Sequence, residues 1–169
     1  MELLVKKAIK GDKEALLKLI MDKKDEYYGL AFIYMKNKDD ALDALQEMIV
    51  VLYREIVKLK KKEAFYSWSK TILVNICKRE LKRKNKENKE EKDDEYIEGS
   101  YSNVEDKIYL KELIEKLNED QKEVIKLRYY LDCSYNDISE ITGVPLGTVK
   151  SRISKGIDKL RKIVDGELE

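Results

Sequence analysis

Apolar positions recur at intervals of three and four along most of the chain, the spacing of one face of a helix. Asp12 stands before Ala15, Leu16, Leu19 and Ile20, a cap followed by a first apolar face. A second helical stretch runs from about Asp25 to Met35, with Tyr27, Leu30, Ala31 and Tyr34 on one side. Asn37 to Asp40 reads as a turn and cap. Leu42, Leu45, Met48, Ile49, Leu52, Ile56 and Leu59 then mark the clearest stripe in the chain. After the Lys60-Lys61-Lys62 turn, Phe65, Trp68, Ile72, Leu73 and Ile76 predict a fourth helix reaching roughly Lys86.

From 87 to 103 the periodicity disappears, and Lys, Glu, Asp, Asn, Ser and Gly dominate. Such a segment cannot bury enough apolar surface to order itself and reads as a flexible linker. Beyond it, Ile108, Leu113, Ile114 and Leu117 mark a fifth helix. Asn118, three before Gln121, opens a sixth carrying Val124, Ile125 and Leu127, and Ser134 with Asp137 opens a seventh carrying Ile138 and Ile141. Gly143-Val144-Pro145 is a turn, and an eighth helix starts near Leu146. The expected fold is all-α: one domain over 1–86, a linker over 87–103 and a second domain over 104–169.

Composition narrows the chemistry. Among 169 residues there is one proline and no histidine, and 41% are charged. Few breakers and abundant Lys, Glu, Leu and Ile favour helix over a β-sandwich. Without histidine, Ser-His-Asp and Cys-His sites, His-ligated zinc and an imidazole base are excluded. Cys77 and Cys133 lie too far apart for a CxxC site. No signal-peptide-like run opens the chain, and no stretch approaches the roughly 20 apolar residues of a membrane span. The expectation is a soluble, cytoplasmic protein without cofactor or metal.

A formal net charge of +1 hides strong segregation. Four of the five residues Lys58–Lys62 are lysines, and Lys78–Lys86 holds six bases and one acid. Glu90–Asp106 reverses the sign, with eight acids and one lysine, and Lys150–Lys162 again holds six bases and one acid. Two basic patches around an acidic stretch point to two contacts with a polyanion. Solvated faces of ordinary Lys/Glu helices are the alternative.

The segment 135–153 has helix-turn-helix form. Ile138 and Ile141 anchor a short helix, a Gly-containing turn follows, and Val149 and Ile153 face inward from a second helix. Thr148, Lys150, Ser151, Arg152 and Lys155 occupy its other face, with Ser154 among them, donors suited to phosphates and base edges. A purely structural hairpin shares that spacing.

Gly147-Thr148-Val149-Lys150-Ser151-Arg152 resembles the promoter-reading end of the bacterial sigma-70 family, and also of LuxR-type regulators. The first half breaks the tie. Asp40-Ala41-Leu42-Asp43-Ala44-Leu45-Gln46-Glu47 resembles the polymerase-binding helix of sigma domain 2. Ala64-Phe65-Tyr66-Ser67-Trp68, followed by Ile72-Leu73-Val74-Asn75, resembles the adjoining minus-10 region. Two domains alone match the extracytoplasmic-function (ECF) group.

The resemblance implies a sigma factor that binds core RNA polymerase and promoter DNA, controlled by an anti-sigma factor. It assigns Asp43, Gln46 and Glu47 to polymerase docking, with Tyr53 and Arg54 as weaker candidates. Met48-Ile49 departs from the family's frequent Thr-Phe, a change expected in packing rather than docking. Asn75 matches the base-contacting asparagine, its alternative being a satisfied interior amide. Lys60, Lys61 and Lys62, then Lys78, Arg79, Lys82 and Arg83, fall to phosphates near the minus-10 element. Phe65 and Trp68 are expected in the core. Thr148, Lys150, Ser151, Arg152, Ser154 and Lys155 match minus-35 readers, although relatives often carry a larger or basic side chain at the place of Ser154. Arg128 is assigned either to the DNA backbone or to a salt bridge.

Two rivals come from other classes. Asp39, Asp40, Asp43 and Glu47 share a helix face that could hold Mg²⁺, but no second acidic helix or phosphate loop accompanies them. A helix-turn-helix operator-binding regulator would use the C-terminal half alone, without polymerase.

Overall fold

The computed structural model describes residues 1–87 and 112–166. The chain divides into two compact units, Met1–Ile97 and Glu98–Glu169. All regular elements among the described residues are helical. The reading of 87–103 as a linker, and Ile108 of the fifth stripe, lie outside them except for Glu87.

In the first unit, α1 (Glu2–Ile9), α2 (Lys13–Met21), α3 (Lys24–Met35), α4 (Lys38–Glu55) and α5 (Phe65–Glu87) pack around one core. Tyr27, Leu30, Leu16, Leu19, Met48, Leu52, Phe65 and Leu73 are essentially inaccessible in it. Asp12 caps α2 by accepting from the Ala15 amide at 3.0 Å, and Asn37 caps α4 by accepting from Asp40 at 2.9 Å. The helix α1 escapes the stripe analysis. Only Val5 and Ala8 bury along it, and it begins without a side-chain cap, so packing against α2 and the 3₁₀ turn Ile56–Lys58 forms it.

The stripe on α4 is rotated from the sequence expectation. Ala41, Ala44, Met48 and Leu52 face the core, while Leu42 and Val50 are exposed and Leu45 and Ile49 are half-buried. Small alanines let α4 approach its neighbours closely, and the larger apolar side chains are left at the solvent edge. Between α3 and α5, the Tyr27 hydroxyl meets Ser69 Oγ at 2.6 Å in a fully buried contact. Ser69 in turn donates to the Tyr66 carbonyl at 3.0 Å, which leaves Tyr27 as donor of the shared bond. Burial raises the Tyr27 hydroxyl's pKa well above its ordinary value.

The second unit holds helical residues 112–115 (α6), then α7 (Glu119–Tyr130), α8 (Tyr135–Thr142) and α9 (Leu146–Val164). Leu113, Ile114, Leu117, Val124, Ile125, Leu127, Ile138, Ile141, Val149 and Ile153 form its core. Asn118 accepts from the Gln121 amide at 2.9 Å. Ser134 and Asp137 complete the reciprocal capping box of α8. Lys122 is buried because Glu115 and Glu119 hold its ammonium at 2.7 and 3.1 Å. Burial alone would lower its pKa, but those two carboxylates outweigh burial and raise it. At Gly156 α9 packs close against α7: a Cβ there would lie 2.5 Å from Ile125 Cδ1.

Candidate nucleic-acid interface

The corner between α8 and α9 is built by polar ties around a glycine. Gly143 ends α8 in the left-handed region at φ 72°, its amide donating to the Ser139 carbonyl at 3.0 Å. Ser139 Oγ donates to the Val144 carbonyl at 2.6 Å, and the Val144 amide donates to Thr142 Oγ1 at 3.3 Å. Pro145 then fixes the entry to α9, whose first turn has no side-chain cap.

From that corner, Val149, Ile153 and Gly156 seat α9 inward, as their spacing predicts for the first two. Thr148, Lys150, Ser151, Ser154 and Lys155 are all exposed. Lys150 and Lys155 make no ion pair among the described residues. Arg152 differs from the outward face expected of it. It is half-buried, and its Nη2 donates to Asp120 Oδ2 of α7 at 2.6 Å. The sequence holds no signal for this, because the partner lies 32 positions away on another helix.

Arg128 does not form the expected salt bridge among the described residues. It donates to the Cys133 carbonyl at 2.9 Å and lies over the Tyr135 ring at 5.3 Å, bracing the loop into α8.

The first unit carries a second basic surface, and part of it is paired, along α5. Arg79 Nη2 donates to Glu47 Oε2 of α4 at 2.5 Å, and Arg83 to Glu80 at 3.0 Å through Nε. Lys84 Nζ donates to Asp40 Oδ2 at 2.5 Å, and Lys78 lies over the Tyr34 ring at 5.8 Å. A residue assigned to polymerase, Glu47, thus neutralises one assigned to DNA, Arg79. Partial burial would raise the Asp40 carboxyl, but the Asn37 amide and Lys84 outweigh it and hold its pKa below the usual value. The bond from Arg83 lowers that of Glu80 against slight desolvation. Asp40 and Glu47 are both paired with cations, and no group of three or more Asp, Glu or Cys side chains is gathered as for a metal ion among the described residues.

Asn75 is exposed on α5, which removes the interior-amide alternative. Lys60 and Lys61 are exposed and Lys62 half-buried, spanning the start of the 3₁₀ turn Lys62–Ala64. Lys82 is exposed. Phe65 is fully buried, as expected, while Trp68 is half-buried with its ring 6.3 Å from that of Phe65. Asp43 and Gln46 are exposed beside Leu42. Tyr53 is turned toward α2, its hydroxyl donating to the Lys13 carbonyl at 3.2 Å.

Comparison with known proteins covers both units. The Sigma-70 region 2 family model matches residues 19–87, and the Sigma-70, region 4 model matches residues 107–160. RNA polymerase sigma factor SigV of Bacillus subtilis is 36% identical over 152 residues, spanning 88% of this chain and 90% of that protein. ECF RNA polymerase sigma factor SigW of the same organism is 30% identical, spanning 96% of this chain and 97% of its own. The fold is similar to that of sigma factor RpoE, solved in complex with the anti-sigma factor NepR from Bartonella quintana. That likeness has a TM-score of 0.70 at 20% identity and spans 89% of this chain and 96% of that one. No described helix is long and apolar enough to cross a membrane.

Proposed function

The chain belongs to the sigma-70 family, in its extracytoplasmic-function group, and from that premise we propose how its residues divide the work of initiation. The protein is a non-catalytic RNA polymerase sigma factor: it binds core polymerase and directs it to promoter DNA. Domain 2 over 1–86 docks on polymerase through Asp43, Gln46 and Glu47 and handles the minus-10 element. Domain 4 over 104–169 reads the minus-35 element, and 87–103 joins them.

The observation that carries the division is the α9 surface. Thr148, Lys150, Ser151, Ser154 and Lys155 stand clear of the seam that seats the helix. Such a face suits a major groove, where donors near a helix start reach base edges and flanking lysines hold phosphates. On domain 2, exposed Asn75 takes a base displaced from the melted strand, a step costing a few kcal/mol that polar donors must offset. Lys60, Lys61, Lys62, Lys78, Lys82 and Arg83 hold the backbone nearby, joined by Arg79 when it leaves Glu47. An anti-sigma factor holds the free protein inactive in the cytoplasm, a reading supported by the RpoE likeness.

Run-off transcription with bacterial core polymerase on the promoter upstream of this protein's gene tests the proposal. A discrete start site appears only when the protein is added, and Lys150→Ala reduces it on templates that depend on the minus-35 element. Start-site selection unchanged by Lys150→Ala, Lys155→Ala and Asn75→Ala together would overturn the residue assignments. Operator binding without any affinity for core would favour a polymerase-independent regulator.

A further inference from the structure

Resting on the reading of α9 as the promoter-reading helix, we propose that Asp120 is a positioning residue for Arg152. The pair, rather than the arginine alone, sets discrimination at one base pair of the minus-35 element. Arg152 sits at the border of the buried seam, next to Ile153, so its side chain leaves α9 toward α7 instead of straight outward. There Asp120 accepts from one Nη at 2.6 Å, and the arginine side chain is 25% exposed against 63% for the aspartate. The guanidinium is therefore partly enclosed and held at one corner, while its planar fork carries five N–H donors in all. One corner fixed leaves enough donors for two parallel bonds to a base with two major-groove acceptors, the pattern of guanine.

Asp120 lies in the first turn of α7, two residues after the Asn118 cap, where exposed backbone amides favour an anion. Its negative charge also bears on what Arg152 will accept. An unrestrained arginine beside DNA settles readily on phosphates, which are identical for every sequence. A carboxylate alongside repels phosphate oxygens and holds the fork in one plane, so the arginine gains full contact only where a base edge presents the matching acceptors. Lys150 and Lys155, which have no such acid, supply the sequence-independent attraction.

The test is transcription by core polymerase with the full-length protein on a promoter library randomised across the minus-35 element, sequencing the transcribed templates. Wild type enriches one base at the position read by Arg152, and Arg152→Ala abolishes that enrichment. Asp120→Asn is expected to reduce the enrichment three- to ten-fold at the same position and no other, and to raise binding to unrelated duplex DNA. Asp120→Glu restores part of it, and Asp120→Asn adds nothing in an Arg152→Ala background. Thermal unfolding of Asp120→Asn checks that the second unit stays folded, which a partner so exposed predicts. If Arg152→Ala loses a preference that Asp120→Asn keeps, the positioning role fails and the α9 reading stands. If Asp120→Asn sharpens the preference, the acid sequesters the arginine and the proposal is overturned. Enrichment untouched by Arg152→Ala would sink the proposal together with the assignment of Arg152 as a reader.

Discussion

The two units arrange the cations of their longest basic helices differently. In the first, three cations of α5 are answered by acids: Arg79 by Glu47, Lys84 by Asp40, Arg83 by Glu80. In the second, Lys150 and Lys155 stand on α9 without an acid among the described residues, while Arg152 pairs with Asp120 and Arg161 with Asp158. The helix crossings differ as well. A buried hydroxyl pair, Tyr27 and Ser69, joins α3 to α5, while α7 meets α9 through the missing side chain of Gly156. Under the proposed reading, Lys150 and Lys155 are free to meet DNA at once, whereas Arg79 reaches phosphate only by surrendering Glu47.

The largest expected effect breaks the second unit alone. Gly156→Val pushes a branched side chain into Ile125 and is expected to destabilise that unit by about 3 kcal/mol, the upper part of the overpacking range. Circular dichroism would show an early transition, while fluorescence of Trp68, the only tryptophan and a residue of the first unit, keeps its midpoint. Next comes the charge contrast itself. Lys150→Ala is expected to weaken promoter binding at every sequence and to lower its salt slope by about 1, whereas Arg79→Ala changes both less because its pair with Glu47 is lost in the exchange. Equal losses, measured as holoenzyme affinity at several salt concentrations, would erase the distinction between the units.

The buried hydroxyl pair sharpens the comparison further. Ser69→Ala leaves the Tyr27 O–H without an acceptor and costs about 2 kcal/mol, while Tyr27→Phe removes the donor and costs about 1 kcal/mol. Urea unfolding followed through Trp68 separates the two. The smallest effect is acid sensitivity. Asp40 and Glu80 have folded pKa values below their ordinary ones, so the stability they contribute is present above the ordinary carboxylate value and lost as pH falls through the depressed one. Asp40→Asn should therefore be less stable than wild type at neutral pH by about 0.5–1 kcal/mol, with the difference vanishing in strong acid. A difference that persists there would assign the loss to packing.

Local chemistry was readable in advance, and encounters between distant helices were not. Asp12, Asn37, Asn118 and Ser134 announced their helices because a cap and its amide lie three residues apart. The seam of α9 followed from Val149 and Ile153, but Gly156 was missed, since an apolar stripe does not register a residue chosen for having no side chain. On α4 the large residues misled, because Ala41 and Ala44 win the core by allowing close approach. The same limit applies to the candidate site. Exposure of Lys150 and Lys155 follows from helical phase, whereas the partners of Arg152 and Arg79 each lie 32 positions away and depend on how two helices cross.

Arg128 has a consequence of this kind for how the second unit approaches DNA. Its guanidinium closes the loop before α8 by grasping the Cys133 carbonyl while lying over Tyr135, and a lysine offers neither the planar stack nor the directed fork. The loop leading into α8 is thus braced at a carbonyl and a ring before any ligand arrives. Under the proposed reading, less conformational entropy is surrendered there on association, and an encounter is decided by whether its first geometry fits.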